Sequence, residues 1–249
     1  MIRILLNGCN GKMGQTVTDV VSGTNDVVIV AGIDRTSDMF GNFPVFTSIN
    51  DIVDDFDVII DFSTADALDG VLDFAEKSNK PVVLCSTGYS DEQISKIENA
   101  SKSIPIFFSS NMSMGIALLT ELSVRASKFL GDGFDIEIIE KHHNQKIDAP
   151  SGTACKLADE IRNANGGKFR YEYDRHSKRA KRSPDEIGIH SVRGGTIVGE
   201  HEVIFAGNDE VISLKHTAYS KKIFAVGTIN AARFLINKPA GSYGMKDIL

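Results

Sequence analysis

The first hundred residues of the chain alternate short apolar runs with amphipathic stretches. Apolar runs rich in Val and Ile are typical of buried strands, and amphipathic stretches are typical of helices. The predicted strands cover residues 2–6, 27–33, 57–62, 81–85 and 104–108. The predicted helices cover residues 13–22, 67–78 and 91–101. This alternation predicts βα units that wind a parallel sheet.

The pattern changes after Asn111, where a long helix comes first and the last two predicted strands follow one another without a helix between them. FDIEIIE, for example, alternates as a strand with one solvated face. The elements predicted in this part are helices at residues 115–130, 154–165 and 223–236 and strands at residues 134–140, 197–205 and 210–218. Such an arrangement suits an open mixed or antiparallel sheet.

We therefore predict an α/β chain with two domains. Residues 1–112 and 222–249 are expected to form a discontinuous, Rossmann-type dinucleotide-binding domain with a parallel sheet. Residues 113–221 are expected to form a second α+β domain with an open mixed sheet.

Composition excludes several classes of protein. The 249 residues are 42% hydrophobic and carry a formal net charge of −6, which disfavours a dedicated nucleic-acid binder. Cys9, Cys85 and Cys155 lie far apart without metal-ligand spacing, so we expect a cytoplasmic protein with neither a disulfide framework nor a zinc site. No run of 18 apolar residues occurs, and we expect neither membrane spanning nor secretion.

Three glycines suggest a cofactor site near the N-terminus. Gly8, Gly11 and Gly14 form GxxGxxG between the first predicted strand and helix, where glycines let the backbone approach a pyrophosphate. The spacing alone is weak, because many glycine-rich loops merely turn. Asp34, 20 residues after Gly14, ends the second strand, where an acid can bind the adenosine ribose. Together they predict dinucleotide binding.

The choice of dinucleotide stays open. The Asp34 carboxylate favours NADH because it repels a 2′-phosphate, whereas Arg35 and Lys12 could hold that phosphate. Both NADH and NADPH are therefore candidate cofactors.

Two polar turns follow later strands, at the edge of the sheet where a nicotinamide would lie. Their small hydroxyl and amide groups could hold the carboxamide and ribose, although ordinary loop polarity is the alternative. The turns comprise Cys85, Ser86, Thr87 and Gly88, and Ser109, Ser110, Asn111 and Met112.

The run EKHHNQKIDAPSGTA, residues 140–154, carries the clearest chemistry. His142 and His143 follow a strand, so their side chains are expected on opposite sides and in different roles. Lys146 offers a positive charge or a proton. No metal site is expected, since adjacent histidines rarely reach one ion.

The same run opens a predicted helix with Ser151, Gly152 and Thr153. A hydroxyl cap and unpaired N–H groups there can bind a carboxylate, although simple helix capping explains them as well.

A basic stretch covers residues 168–182, with seven Lys or Arg against two acids. We expect a solvated, mobile loop. The alternative is a cover that brings positive charge to an anionic substrate.

Three motifs together resemble the 4-hydroxy-tetrahydrodipicolinate reductases, also called dihydrodipicolinate reductases, of the diaminopimelate and lysine pathway. They are GCNGKMG at residues 8–14, EKHHNQKIDAPSGTA at residues 140–154 and SVRGGTIVGEHEVIF at residues 191–205. The resemblance implies NAD(P)H-dependent reduction of a small cyclic dicarboxylate. It also implies a homotetramer assembled through the sheets of the second, substrate-binding domain.

The resemblance also implies roles for individual residues. His142 becomes the catalytic proton donor or acceptor and Lys146 a second proton donor. His143, Ser151, Gly152, Thr153 and Lys221 become substrate ligands. The implied cofactor residues are Gly8, Cys9, Asn10, Gly11, Lys12, Met13, Gly14, Asp34, Arg35, Cys85, Ser86, Thr87, Ser109, Ser110, Asn111 and Met112.

Two positions depart from the family pattern. Cys85 stands where the family commonly has glycine, and Lys221 stands where it commonly has arginine, so a carboxylate contact there would be a point charge. Two alternatives remain: another NAD(P)-dependent dehydrogenase of the aspartate pathway, and a non-catalytic dinucleotide-sensing module.

Overall fold

The computed structural model describes residues 1–53 and 55–249. The chain divides into two compact units. The first unit comprises Met1–Met114 and Lys221–Leu249, and the second comprises Gly115–Ser220.

The first unit contains a seven-stranded sheet in which every described pairing is parallel. The strands are β1 (Ile2–Asn7), β2 (Val27–Ile33), β3 (Val45–Phe46), β4 (Val58–Asp61), β5 (Val82–Leu84), β6 (Pro105–Phe108) and β12 (Gly241–Tyr243). Their order is β12-β6-β5-β4-β1-β2-β3. β2 and β3 lie on one side of β1 and β4 to β6 on the other, so the order in which strands are added reverses between β1 and β4. Ligands in doubly wound folds bind at the carboxyl ends of the strands beside such a reversal.

Helices of the first unit bury their apolar sides against this sheet. They are α1 (Lys12–Ser22), α2 (Leu68–Ser78), α3 (Asp91–Ala100) and α6 (Lys222–Leu235). One core cluster joins Leu5, Ile59 and Leu84 from the strands with Val71 from α2 and Ile97 from α3. Buried strands without alternation, such as the fully buried VIID of β4, fit a sheet covered on both faces.

The second unit contains a five-stranded mixed sheet of order β11-β10-β7-β9-β8. Its strands are β7 (Asp135–His142), β8 (Arg170–Glu172), β9 (Glu186–Arg193), β10 (Gly199–Ala206) and β11 (Val211–Ala218). The β7–β10 and β10–β11 pairs are antiparallel, and the β7–β9 and β8–β9 pairs are parallel. The helices of this part are α4 (Met114–Leu130) and α5 (Gly152–Ala164).

The core of the second unit lies between its helices and one face of the mixed sheet. Ile136 and Ile138 of β7 and Val203 of β10 meet Leu119 of α4 and Leu157 of α5. The alternating burial along β7 and β10 agrees with a sheet that buries one face.

The predicted fold class is confirmed: a parallel, Rossmann-like sheet is combined with a second, mixed sheet. The predicted strand at residues 27–33 has the observed bounds, and the other predicted elements agree within two residues at each end. The prediction omitted β3, β8, β9 and β12. The alternation of Ile187 and Ile189 in β9 was a usable signal, and both side chains are buried.

The expectation of a solvated loop at residues 168–182 is wrong in part. Arg170–Glu172 forms β8. Arg182 donates hydrogen bonds to Glu137 and to the Asp135 carboxylate, and its side chain is only 16% exposed. Glu137 also accepts from Arg175, at 3.0 Å. Acids of the neighbouring strands therefore neutralise and fix part of this basic stretch.

Candidate active site

The glycine turn lies at the carboxyl end of β1. Gly8 has φ +76°, a left-handed conformation, and a Cβ there would lie 2.6 Å from the Phe62 carbonyl oxygen. A Cβ at Gly14 would overlap with the carbonyl oxygens of Gly8 and Cys9. Gly11 occupies the N-cap position of α1. The turn therefore needs glycine at residues 8 and 14, and it directs the N-terminal N–H groups of α1 towards the end of the sheet.

Asp34 lies beside this turn. Its Oδ2 accepts a hydrogen bond from the backbone N–H of Asn10 at 2.8 Å, and its Oδ1 accepts from the N–H of Arg35 at 2.7 Å. The side chains of Arg35 and Lys12 are exposed. The acid, the two cations and the glycine turn of the sequence prediction therefore lie within one unit.

Asp61 ends β4, is fully buried and went unnoticed in the sequence. Its carboxyl group accepts hydrogen bonds from Asn7 Nδ2 at 2.7 Å, Ser63 Oγ at 2.5 Å and Ser86 Oγ at 3.1 Å. Burial raises the pKa of Asp61, and these donors oppose the rise. Asp61 therefore connects the residue before the glycine turn to the polar turn at residues 85–88. An acid at the end of an otherwise apolar strand was the available signal.

Helix α6 packs against both polar turns. Cys85 Sγ is buried 3.6 Å from Thr228 Oγ1. A Cβ at Gly227 would overlap with the carbonyl oxygen of Met112. Among the described residues, Asn79 alone combines a side chain with positive φ, so Cys85 fits its turn without backbone strain. Neither Gly227 nor Thr228 was identified from the sequence.

The second polar turn is ordered by its own side chains. Ser109 Oγ donates to the carbonyl oxygen of Asn111 at 2.8 Å, and Asn111 Oδ1 accepts from the N–H of Ser113 at 2.9 Å. Ser109 and Met112 are buried, and Ser110 is exposed. The residues of this turn, the glycine turn and Asp34 fit a dinucleotide, because the glycines allow the tight turn that lets backbone N–H groups approach a pyrophosphate.

In the second unit, β7 carries an acid and a histidine on its buried face. Burial alternates along the strand, so Ile136, Ile138, Glu140 and His142 share one face. Glu140 is 0% exposed, and the His142 side chain is 11% exposed. His143 follows the end of the strand and is half-buried.

Glu140 joins several parts of the site. Its Oε2 lies 2.6 Å from His142 Nδ1, and its Oε1 accepts from the N–H of Ser151 at 3.1 Å. Arg193, at the end of β9, donates to both oxygens at 2.7 and 2.8 Å. Burial alone would raise the pKa of Glu140, but the hydrogen bonds from Arg193 and His142 outweigh it and bring the pKa to about 2. Glu140 is therefore a carboxylate at neutral pH.

Ser151 caps the N-terminus of α5 and also contacts a second buried histidine. Its Oγ accepts from the N–H of Ala154 at 3.2 Å and lies 3.1 Å from His201 Nε2. The ring of His201 packs edge-on against His142, with 5.2 Å between the centroids. Burial lowers the pKa of His201 to about 4, and the nearby His142 contributes. Glu140, Arg193 and His201 all lie in the quoted motifs but were given no role.

Lys146 lies in the loop between β7 and α5. Its Nζ is 2.8 Å from Asp148 Oδ1, and its backbone N–H donates a hydrogen bond to the His143 carbonyl oxygen at 3.1 Å. Gly152 is exposed and Thr153 half-buried, both in the first turn of α5. His142, Ser151 and the start of α5 are thus joined through Glu140. Lys221 is exposed and directly precedes α6 in the first unit.

Among residues 1–53 and 55–249, no group of three or more His, Cys, Asp or Glu side chains is arranged to hold a metal ion. Within the same residues, no helix has the length and apolar character needed to cross a membrane.

Comparison with known proteins covers almost the whole chain. The family model described as "Dihydrodipicolinate reductase, N-terminus" matches residues 2–112, and the one described as "Dihydrodipicolinate reductase, C-terminus" matches residues 115–249. A 4-hydroxy-tetrahydrodipicolinate reductase of Clostridium tetani is 50% identical over 100% of this chain and 97% of its own length. The enzyme of the same name from Caldanaerobacter subterraneus is 48% identical over 100% of this chain and 98% of its own length.

Solved structures agree with these matches. A dipicolinate-bound dihydrodipicolinate reductase from Paenisporosarcina sp. TG-14 superposes with a TM-score of 0.85 and 26% identity, covering 100% of both chains. A DAP dehydrogenase of C. glutamicum, at a TM-score of 0.57 and 14% identity over 99% of this chain and 93% of its own, shares the fold alone. This chain belongs to the dihydrodipicolinate reductase family.

Proposed function

We propose that this protein reduces 4-hydroxy-tetrahydrodipicolinate to tetrahydrodipicolinate with NADH or NADPH, in diaminopimelate and lysine biosynthesis. The observation that carries the proposal is that Glu140 binds both His142 and the first N–H group before α5. A proton-transferring histidine is thereby held beside a helix N-terminus suited to a carboxylate.

The first unit is proposed to bind the dinucleotide. The glycine turn and the N-terminus of α1 would receive the pyrophosphate, with Asp34 on the ribose. Arg35 and Lys12 would meet a 2′-phosphate when NADPH is bound. The polar turns at residues 85–88 and 109–112, supported by α6, would hold the nicotinamide half. A bound reduced nicotinamide supplies a hydride from C4.

The second unit, Gly115–Ser220, is proposed to bind the substrate. The substrate has two carboxylates, which explains why cations and N–H donors surround the site. Gly152 and Thr153 would bind one carboxylate through the backbone and hydroxyl groups of α5, with His143 as a further ligand. Lys221 is proposed to offer a point charge to a carboxylate.

The proton steps are assigned to His142 and Lys146. Loss of the 4-hydroxyl group as water gives a conjugated ring, hydride addition to that ring leaves an enamine, and the enamine must be protonated. Lys146 carries an exchangeable proton for this step, and His142 can donate or accept one. The Lys146 ammonium group hydrogen-bonds to Asp148 and lowers the pKa of that carboxyl group. The same charge would attract the substrate's carboxylate.

We propose a cytoplasmic homotetramer that assembles through the mixed sheets. Ile139 and Ile204 alternate with core residues, so they lie on the sheet face away from α4 and α5, where they are only half-buried. The three cysteines are free thiols, as a reducing compartment requires. Light scattering of the purified protein tests the tetramer.

One coupled assay tests the activity. The protein is mixed with aspartate semialdehyde, pyruvate, the condensing synthase and NADH or NADPH, and nicotinamide absorbance is followed. Oxidation of the cofactor only in the complete mixture supports the proposal. No oxidation in the complete mixture would contradict it.

The same assay separates the alternatives. Oxidation or reduction of the cofactor with aspartate semialdehyde alone would favour another dehydrogenase of the aspartate pathway, and binding without turnover would favour a sensing module. An aldehyde-oxidising enzyme also needs an activated thiol. Burial raises the pKa of Cys155, which lies within α5, so this thiol lacks the required activation.

A further inference from the structure

We propose that Glu140 is a positioning residue for His142: it holds the proton on Nδ1 and leaves Nε2 as the nitrogen that exchanges a proton during reduction. The role of Nε2 rests on the proposed function, whereas the state of the ring does not.

The contact between the two side chains is short and protected. Glu140 Oε2 and His142 Nδ1 are 2.6 Å apart, on the same face of β7 and two residues apart. Glu140 is fully buried, and a buried hydrogen bond to a carboxylate is stronger than one in water. His142 therefore cannot turn its ring without losing this bond.

The protonation state of Glu140 decides which ring nitrogen carries the proton. Arg193 binds Glu140 with two hydrogen bonds, and the N–H of Ser151 supplies another. Both oxygens thus face donors, and the pKa of Glu140 falls to about 2. An ionised carboxylate can only accept, so His142 Nδ1 must be the donor in either protonation state of the ring.

Nε2 is then the only nitrogen of His142 whose protonation can change. Gly199 of β10 lies on its side, where a Cβ would be 3.2 Å from Nε2. Glycine leaves this side of the ring free of a neighbouring side chain. The two residues act together: the Glu140 carboxylate anchors Nδ1, and Gly199 leaves room at Nε2.

Charged groups from every neighbouring element influence the ring. Burial lowers the pKa of His142, Glu140 of β7 opposes this, and Lys146 of the loop and Arg193 of β9 lower it further. His201 of β10 packs edge-on against the ring. These groups set where the ring titrates, whereas the contact with Glu140 keeps the proton on Nδ1 and leaves Nε2 as the nitrogen that titrates.

A purely structural role for Glu140 would predict different data. If Glu140 served only to neutralise Arg193 and to cap α5, its loss would lower stability and leave the ring state and pH profile of His142 unchanged. The test must therefore read out the ring itself.

The experiment uses the full chain labelled with ¹⁵N-histidine. The ring nitrogens of His142, assigned with His142→Gln, are recorded from pH 5 to 9 in wild type, Glu140→Gln and Glu140→Asp. Wild type is expected to show the Nδ1–H tautomer at pH 8. Glu140→Gln should lose that preference and titrate at lower pH, because a stabilising negative charge is gone.

Steady-state kinetics provide the second readout. Glu140→Gln is expected to lower kcat about 10²-fold, to shift the limb of the pH profile that His142 sets towards lower pH, and to change KM less than about threefold. Glu140→Asp, which keeps the charge, should recover part of kcat and the wild-type tautomer. If Glu140→Gln fails to fold, the ring state and kcat of Glu140→Asp test whether Glu140 positions His142.

The chain supplies a matched control in Glu137. This acid lies on the opposite face of β7 and contacts His190 Nε2 at 2.7 Å, with Arg175 and Arg182 as further donors. Glu137→Gln should leave the His142 signals and kcat at wild-type values.

Two results would overturn the inference: an Nε2–H tautomer of His142 in wild type, or a folded Glu140→Gln protein with the wild-type ring state and pH profile. A wild-type protein that shows the Nδ1–H tautomer but no reductase activity would refute the proposed function and leave the Glu140 assignment of the tautomer intact.

Discussion

The Asp34 carboxylate lies against the glycine turn, with Oδ2 accepting a hydrogen bond from the backbone N–H of Asn10 at 2.8 Å. Its other oxygen accepts from the N–H of Arg35 at 2.7 Å. Two backbone donors therefore fix the carboxylate next to the proposed pyrophosphate turn. The same contact places the exposed Arg35 side chain beside the proposed ribose site.

Cofactor preference follows from this pair. Arg35→Ala is expected to weaken NADPH binding about tenfold, or about 1.4 kcal/mol, with little change for NADH, because only NADPH has a 2′-phosphate. Parallel fluorescence titrations of both cofactors measure the effect, and Arg125→Ala in α4 is the control. Equal losses for both cofactors would contradict a phosphate contact. A wild-type preference for NADPH above about a hundredfold, roughly 2.7 kcal/mol, would mean that Arg35 and Lys12 outweigh Asp34.

The close approach at Gly14 gives a second prediction. Gly14→Val should weaken cofactor binding strongly, because a side chain there overlaps with the carbonyl oxygens of Gly8 and Cys9. Calorimetric titration with NADH measures it. The same substitution at Gly70, where a Cβ meets no atom within 4 Å, should bind NADH normally. Normal affinity in Gly14→Val would refute the proposed role of the turn.

Gly227 provides a test on the opposite side of the site. Gly227→Ala is expected to cost about 1–3 kcal/mol of stability through overpacking, because its Cβ overlaps with the Met112 carbonyl oxygen. The displaced turn at residues 109–112 should also bind NADH less tightly. Thermal unfolding and NADH titration measure both, with Val226→Ala, at an exposed position of the same helix, as control. An unchanged Tm and affinity would show that the turn does not depend on α6.

The proposed proton-transferring residues give a fourth prediction. His142→Gln and Lys146→Ala should each lower kcat by about 10²–10⁴-fold, the range for a lost general acid or base. The coupled assay measures kcat, and His176→Gln and Lys181→Ala, both at exposed positions of the basic stretch, serve as controls. Near-normal turnover in both site variants would remove His142 and Lys146 from the mechanism.

His201 predicts how stability depends on pH. Its folded-state pKa, about 4 because of burial, lies below the unfolded value of about 6.5. Between these values the unfolded chain binds the proton and the folded protein does not. The free energy of unfolding should therefore fall as pH drops from about 6.5 to 4, by up to about 1.4 kcal/mol per pH unit from this group.

Urea unfolding of His201→Gln at pH 7.5 and 5.0 measures the contribution. The variant should lose less stability on acidification than wild type, whereas His176→Gln should match wild type. An equal pH dependence in His201→Gln and wild type would contradict the effect of burial on His201.

Most elements were predictable because their apolar periodicity is local. Residues 27–33 form a continuous run rich in Val and Ile, and they form β2 with the predicted bounds. By contrast, the strand Gly241–Tyr243 has few apolar side chains and owes its place to pairing with β6. Arg170–Glu172 was hidden among charged residues, because the acids that neutralise its surroundings lie on other strands.

The proposed site divides in the same way. The types of residue in the 140–154 run and the glycine spacing indicated proton transfer and dinucleotide binding without any structure. Glu140 and Arg193 were in view but had no role, because their pairing joins β7 to β9 across 53 residues. Asp61 and Gly227 were missed for the same reason. Asp61 binds Asn7, which lies 54 residues away in the sequence, and Gly227 contacts Met112 from the other segment of the discontinuous first unit.

The sequence by itself determined the family, the fold class and the residue types of the two proposed sites, because strand and helix periodicity and short motifs are properties of neighbouring residues. Only the tertiary structure decided which groups those residues meet. The buried Glu140 of β7 is held as a carboxylate, with its oxygens oriented, by the donors of Arg193, Ser151 and His142. Burial and hydrogen bonding depend on residues far away in the chain, and these two quantities set the protonation of Glu140, His142 and His201.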